Sequence, residues 1–201
     1  GVQAAGWVVD VEQSLMEQGL DYVLFTQVSA NPRTEEVMHG AEVYRAAGCN
    51  VIVAIGGGSP IDCAKAIGIA VAHDRHILEF EGVDTIRAPI PPLICIPTTA
   101  GTSADVSQFV IISDQQEKVK FSIISKAVVP DVSLIDPETT STMDTFLSAC
   151  TGIDAMVHAI EAFVSTGSGP MTDAHALEAM RLLNGNLVQM IQNPQDIALR
   201  E

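Results

Sequence analysis

Apolar and polar positions in the first part of the chain follow two periodicities in turn. Residues 7–18, 34–47 and 60–73 carry apolar side chains at helical spacing, and a glycine closes each of the first two stretches, at Gly19 and Gly48. Continuous apolar runs of four or five residues, which are typical of buried strands, lie between these stretches at 22–25, 51–55, 93–96 and 132–135. Strands and helices that alternate with short connections predict a parallel sheet covered by helices.

The pattern changes in the second part of the chain. Residues 109–112 and 121–124 are apolar runs on either side of a polar turn, which predicts a β-hairpin. From about Thr145 the apolar residues follow helical spacing, and a break at 166–170 precedes a second long helix. This change predicts a domain boundary, with an α/β domain over residues 1–140 and the start of an all-helical domain over residues 141–201.

Composition and charge exclude several classes of protein. The 201 residues are 47% hydrophobic, enough for one or two domains with a core, and the net charge of −15 argues against nucleic-acid or anionic-membrane partners. No apolar run reaches the length of a membrane span, and no secretory signal is visible. Four cysteines without C-x-x-C spacing indicate buried thiols in a cytoplasmic protein. The chain lacks an initiator Met, and we expect it to be a portion of a longer protein.

The most informative segment follows the apolar run 51–55. Gly57 and Gly58 lie between this predicted strand and the helix, where bare backbone N–H groups and the helix dipole suit a phosphate. Ser59 is predicted to cap the helix, with Asp62 three residues after the cap. A tight strand-to-helix turn without a ligand is the alternative interpretation. Lys65 lies further along the helix, where it could brace the helix instead of contacting a phosphate.

A second polar segment follows the apolar run 93–96. Thr98, Thr99, Thr102 and Ser103 lie at the carboxyl end of a predicted parallel strand, the edge at which open α/β sheets bind ligands. Their hydroxyl groups can hydrogen-bond a nicotinamide, a ribose or a phosphate. An ordinary helix cap and turn is the alternative interpretation of these residues.

A third segment carries a carboxylate and an imidazole. Asp154 and His158 are four residues apart in a predicted helix, so both project from one face and can reach a single metal ion. Spacing alone describes an ordinary surface pair equally well. His39, His73, His76 and His175 lie elsewhere in the sequence.

These three segments, in this order, resemble motifs of the iron-containing (group III) alcohol dehydrogenases. Residues 56–65 resemble G-G-G-S-x-x-D-x-A-K, and residues 152–161 resemble G-x-D-A-x-x-H-A-I-E. Residues 97–106 resemble P-T-T-A-G-T-x-S/A-E-V, with Asp105 at the position of the usual Glu. The resemblance implies a dehydroquinate-synthase-like architecture in which a parallel-sheet nucleotide-binding domain precedes an all-α metal-binding domain.

The resemblance also implies a cofactor and a metal. It places NAD(P) in a cleft between the two domains, with its pyrophosphate on the glycine turn, and assigns cofactor contacts to Asn31, Gly57, Gly58, Ser59, Asp62, Thr98, Thr99, Thr102 and Lys120. The neighbouring Lys118 leaves the lysine assignment ambiguous by two residues. Asp154 and His158 would be two of four ligands of Fe²⁺, with Zn²⁺ as the alternative, and none of the other histidines matches the family's later ligand motif.

The expected function is hydride transfer between a small alcohol or aldehyde and NAD(P), with the metal as Lewis acid and no catalytic residue beyond its ligands. The protein is expected to be a cytoplasmic homo-oligomer, while the 201 residues alone are expected to bind dinucleotide weakly and to be inactive. The alternatives are a glycerol-dehydrogenase-like or dehydroquinate-synthase-like enzyme of the same fold, and a non-catalytic nucleotide-binding fragment.

Overall fold

The computed structural model describes residues 1–201, which form two compact units. Unit 1 contains residues 1–97 and 103–135, and unit 2 contains residues 98–102 and 136–201. Nothing in the sequence pattern assigns the short segment 98–102 to the helical unit. The elements of unit 1 are, in chain order, α1 Trp7–Glu17, α2 Thr34–Ala46, β1 Ile52–Gly56, α3 Gly58–His73, β2 Gly82–Val83, β3 Leu93–Pro97, β4 Phe109–Asp114, β5 Val119–Ile124 and β6 Val132–Ser133.

The parallel sheet predicted from the sequence is present in unit 1. Its strand order is β1-β3-β6 and both pairings are parallel. Gly56 and Pro97 are register partners at the carboxyl ends of β1 and β3, so the segments that follow them leave the sheet at the same edge. This is the edge at which open α/β sheets bind ligands.

A second sheet contains the predicted hairpin. β4 and β5 pair antiparallel, and β2 pairs parallel to β5, which gives the order β2-β5-β4. The side chain of Asp114 closes the hairpin turn, because its Oδ1 accepts hydrogen bonds from the backbone N–H groups of Gln116 and Glu117. The hairpin is therefore confirmed as the sequence predicts it.

Helices α2 and α3 and the second sheet enclose the larger core of unit 1. The side chains at its centre are fully buried, among them Val37, Ile69, Ile77, Val110 and Ile123. A smaller buried cluster between α3 and the first sheet includes Ile61, Leu93 and Cys95. Helix α3 therefore packs against both sheets, which fixes the position of its N-terminal residues.

One predicted strand is absent from both sheets. Residues 22–25 belong to no strand, and no backbone hydrogen bond joins them to another segment. Apolar β-branched residues favour an extended conformation, but a strand also needs a neighbouring strand with free N–H and C=O groups. In this structure β1 pairs only with β3. The prediction of a strand at 22–25 is therefore wrong.

Unit 2 contains the two predicted long helices, α4 Thr145–Val164 and α5 Pro170–Gln192, which pack against each other. By length and composition α4 could cross a membrane, with a mean hydropathy of 1.3 over 20 residues. This corrects the expectation that no apolar run reaches such a length. A single helix of this kind is weak evidence for a membrane protein, because core helices pass the same test.

Candidate functional site

The glycine turn after β1 has a backbone that requires glycine at its first position. Gly56 has a φ of +146°, and a Cβ at this residue would lie 2.7 Å from Cγ of Pro60. The helix begins at Gly58 with Gly57 as its N-cap, and no side chain caps it. The prediction that Ser59 is the cap is therefore wrong, because α3 starts early enough to place Ser59 in its first turn. The orphan N–H groups at this helix start face no capping side chain.

Ser59 takes part in a contact between three segments of unit 1. Its Oγ accepts a hydrogen bond from the backbone N–H of Asn31 at 3.2 Å, and Asn31 has a φ of +59°. The Oδ1 atom of Asn31 accepts a hydrogen bond from Nζ of Lys120 at 2.7 Å. The structure thus brings together three of the predicted cofactor residues, and it is Lys120 that contacts Asn31, whereas Lys118 lies in the hairpin turn.

Asp62 and Lys65 point toward β4 and the segment before it. The Oδ2 atom of Asp62 accepts a hydrogen bond from the backbone N–H of Ile111 at 3.2 Å. Burial raises the pKa of the Asp62 carboxyl to about 6, although the Ile111 N–H and the Lys65 ammonium both favour its charged form. Asp62 was expected to contact the cofactor, but its carboxylate is engaged with the hairpin backbone.

Lys65 is fully buried, which a lysine on the surface of a helix would not be. Its Nζ donates to the backbone oxygens of Ser107 at 2.7 Å and Phe109 at 3.1 Å. Burial lowers the pKa of this ammonium, and Asp62 opposes that shift. The expectation that Lys65 braces the helix is confirmed.

The threonine segment lies directly against helix α4 in unit 2. A Cβ at Gly101 would lie 2.9 Å from the backbone oxygen of Thr151 and 3.3 Å from Oδ2 of Asp154. Only glycine therefore allows this close approach. Thr98 is buried and Thr102 is exposed, so the hydroxyl-bearing residues of the segment differ in their access to a ligand.

The buried Asp105 belongs to unit 1. Its carboxylate accepts a hydrogen bond from the hydroxyl of Ser133 at the end of β6. The carboxylate that replaces the family's usual Glu is therefore engaged within the protein, at the start of the segment that leads to Ser107.

Asp154 and His158 lie one turn apart on α4. Oδ1 of Asp154 is 3.6 Å from Nε2 of His158, and their side chains are 44% and 57% exposed. Carboxylate and imidazole are ligands that both Fe²⁺ and Zn²⁺ accept, so the pair fits two positions of a metal site. The 201 residues contain no group of three or more histidine, cysteine or acidic side chains arranged to hold a metal.

Glu161 is a neighbour of this pair that the sequence reasoning missed. Its Oε2 is 3.7 Å from Nδ1 of His158. When Nε2 binds a metal, the imidazole carries its proton on Nδ1, the side on which the Glu161 carboxylate lies. The spacing of three residues between His158 and Glu161 on a helix is the signal that would have identified it.

The remaining histidines and the cysteines lie outside these clusters. His73 ends α3, and its Nε2 accepts hydrogen bonds from the backbone N–H groups of Arg87 and Ala88. All four cysteines are free, as expected, but only Cys63 and Cys95 are buried, while Cys150 is exposed. Burial raises the pKa of the Cys63 thiol to about 12, which agrees with a packing role beside the glycine turn.

Comparison with known proteins gives the same family for both parts of the chain. Residues 1–137 match the model of iron-containing alcohol dehydrogenases, and residues 148–201 match the model of the C-terminal part of that family. A 1,3-propanediol dehydrogenase of Citrobacter freundii is 41% identical over 187 residues, which are 93% of this chain and 48% of that protein. An NAD-dependent methanol dehydrogenase of Bacillus methanolicus is 37% identical over 200 residues, which are 100% of this chain and 52% of that protein.

Solved structures agree with these matches. A 1,3-propanediol oxidoreductase superposes with a TM-score of 0.94 at 38% identity, over 96% of this chain and 51% of that one. A sulfoacetaldehyde reductase from Bifidobacterium kashiwanohense, solved in complex with NAD⁺, superposes with a TM-score of 0.87 at 32% identity, over 97% of this chain and 53% of that one. The chain spans about half the length of the relatives that it matches.

Proposed function

Because this chain belongs to the iron-containing alcohol dehydrogenase family, we propose that the full-length protein binds NAD and a divalent metal for hydride transfer between a small primary alcohol and its aldehyde. The observation that carries the proposal is the convergence of Ser59, Asn31 and Lys120 at the N-terminus of α3. An uncapped helix start beside a lysine is a site for a pyrophosphate. The substrate class follows from the relatives named for 1,3-propanediol, methanol and sulfoacetaldehyde.

The dinucleotide would be held by residues of both polar segments. The N–H groups of Gly57 and Gly58 and the hydroxyl of Ser59 would donate to the pyrophosphate, and Lys120 would supply the counter-charge. The hydroxyls of Thr98, Thr99 and Thr102 would hydrogen-bond the nicotinamide or its ribose. Bound NAD supplies the hydride acceptor. Asp62 acts in this proposal through the hairpin that it contacts and not on the ligand.

The metal would be held in part by Asp154 and His158. A bound Fe²⁺ or Zn²⁺ supplies Lewis-acid stabilisation of the alkoxide form of the alcohol. Asp154 would contribute negative charge, and Glu161 would hold the proton of His158 on Nδ1. We propose iron over zinc from the family name alone, and the cytoplasmic location and self-association remain predictions from the sequence.

The experiment is elemental analysis of the full-length, anaerobically purified protein, combined with calorimetric titration of NAD⁺ and an assay for alcohol-dependent NADH formation. His158→Ala is expected to lose metal and alcohol-dependent NADH formation together and to keep NAD⁺ binding. His175→Ala is the matched control, because this exposed histidine lies on α5 outside the pair. Normal metal content in the His158→Ala protein would refute the metal assignment.

The same assay separates two of the alternative functions. A dehydroquinate-synthase-like lyase would bind NAD⁺ but would form no NADH from added alcohols. A non-catalytic dinucleotide-binding protein would bind NAD⁺ and retain no metal. Absence of NAD⁺ binding would reject the proposal at its first step.

A further inference from the structure

Two side chains of α3 tie the phosphate-turn helix to the β4–β5 hairpin. Asp62 accepts the backbone N–H of Ile111 at 3.2 Å. Lys65 donates to the backbone oxygens of Ser107 and Phe109 and, at 3.3 Å, to the hydroxyl of Ser107. Asp62 and Lys65 follow Ser59 at intervals of three residues, so all three lie along one side of the helix.

The hairpin returns to the same helix through Lys120. This lysine, on β5, donates to the side chain of Asn31, and the backbone N–H of Asn31 donates to Ser59 in the first turn of α3. The contacts form a closed ring that runs from α3 to β4, along the hairpin to β5, on to Asn31, and back to α3.

A further hydrogen bond joins the hairpin and the Asn31–Pro32 segment into one group, which is separate from α3 within this ring. The backbone N–H of Ser113 on β4 donates to the backbone oxygen of Pro32 at 2.8 Å, so the hairpin and the Asn31–Pro32 segment are joined directly. Asp62 and Lys65 join this pair of segments to α3. If Asp62 and Lys65 lost these contacts, the hydrogen bond between Lys120 and Asn31 would remain. The hydrogen bond from Asn31 to Ser59 would be lost, because the two segments would move away from α3 together.

We propose that Asp62 and Lys65 are positioning residues of the dinucleotide site, which hold the β4–β5 hairpin so that Lys120 and Asn31 meet Ser59 beside the glycine turn. The inference rests on the proposed dinucleotide binding and assigns neither residue a contact with the ligand. A buried charged lysine is costly, and its three hydrogen bonds to one segment are what offset that cost. An apolar residue could fill the space but could not fix the strand.

A double-mutant cycle on NADH affinity tests this role. Lys120→Ala removes a charge-assisted contact and is expected to raise the Kd about tenfold. Asp62→Leu is expected to raise the Kd by a similar factor, and the double variant is expected to be no more than about twofold weaker than either single variant. Asp62→Asn keeps an acceptor oxygen for Ile111 and is expected to restore most of the affinity.

Ile77→Val controls for general loss of stability. Ile77 is fully buried in the core of the same unit and lies outside the ring, so this variant is destabilised but should keep the NADH affinity. If the effects of Asp62→Leu and Lys120→Ala on the Kd multiply, Asp62 is a structural residue only and the proposal is overturned.

Amide hydrogen exchange followed by NMR tests the positioning without any ligand. In the Asp62→Leu protein the Asn31 amide is expected to lose its protection, while the Ser113 amide, bonded to Pro32, keeps its own. Unchanged exchange at Asn31 would overturn the positioning role. If the protein binds no NADH but the exchange changes as expected, the proposed function fails and the positioning of the ring stands.

Discussion

At the scale of single residues, Asp62 stabilises the native state when its carboxyl is protonated, which is the opposite of what most aspartates do. Burial raises its pKa from 3.8 to about 6, so the native state binds the proton more tightly than the unfolded state does. The stability that comes from this group is therefore fully present below about pH 4 and is lost as the pH rises through about 6. Most partnered carboxylates act in the opposite sense, and Glu79 and Glu178, whose pKa values are lowered by Arg75 and Arg181, are examples.

We expect Asp62→Asn to remove this pH dependence. Between pH 7 and pH 4 the wild-type protein should gain at most about 3 kcal/mol of unfolding free energy relative to the variant. Urea unfolding at several pH values measures the difference in unfolding free energy between the two proteins. Both proteins contain all the other titrating groups, so the effects of those groups cancel in this difference. A difference that stays constant across this pH range would show that Asp62 titrates as an exposed aspartate does.

Gly101 is the second residue with a specific expectation. Any side chain here would displace the Thr98–Thr102 segment from α4 or push Asp154 aside. Gly101→Val is expected to cost about 1–3 kcal/mol of stability and to weaken metal binding, which calorimetric titration with Zn²⁺ measures. Gly185→Ala is the matched control, since a Cβ at that position on α5 meets open space, and it should bind metal normally. Unchanged metal affinity in the Gly101→Val protein would show that the position of residues 98–102 has no effect on the metal ligands Asp154 and His158.

At the scale of elements, the buried ammonium of Lys65 carries most of the hydrogen bonds that attach β4 and the segment before it to α3. Lys65→Met fills a similar volume but leaves the backbone oxygens of Ser107 and Phe109 without their donor. We expect the unfolding free energy to fall by about 2–4 kcal/mol, as measured by urea unfolding. We also expect faster amide exchange in residues 107–112, as measured by mass spectrometry. Lys118→Met is the control from the same hairpin, where the side chain is exposed and the change should stay within about 0.5 kcal/mol. Equal effects of the two variants would contradict the structural role of Lys65.

The elements also show what local sequence predicts and what it leaves open. Strands β1 and β3, helix α3 and the hairpin follow from periodicity, because each pattern lies within a few consecutive residues. The extended run 22–25 satisfies the same local rule and still has no partner strand. Ser59 fits a capping pattern, but the helix starts at Gly58, since the glycine backbone permits an earlier start. The contact between Asn31 and Lys120 joins residues 89 positions apart, which no local pattern could predict.

At the scale of the whole molecule, the two compact units predict two responses to ligands. Most of the proposed NAD contacts, among them Asn31, Ser59 and Lys120, belong to unit 1. Thr98, Thr99 and Thr102 and the proposed metal ligands Asp154 and His158 belong to unit 2. A ligand stabilises the structure that binds it by an amount set by its concentration relative to the Kd. Chains with more than one compact unit often unfold in more than one step, so NAD should act mainly on the transition of unit 1 and the metal on that of unit 2.

The single tryptophan makes this expectation testable, because Trp7 lies in unit 1 and reports on that unit alone. NAD⁺ at about 100 times its Kd should stabilise unit 1 by about 2.7 kcal/mol and raise the midpoint of thermal unfolding followed by Trp7 fluorescence. Zn²⁺ should leave that midpoint unchanged and raise the midpoint of the second transition in circular dichroism, the one in which α4 and α5 unfold. At the same NAD⁺ concentration Lys120→Ala should reduce the NAD⁺ effect to about half, because its Kd is expected to be about tenfold higher. His158→Ala should abolish the Zn²⁺ effect. If either ligand moved both signals equally, the units would unfold as one cooperative structure, and the assignment of one ligand to each unit would need direct binding measurements on the two variants.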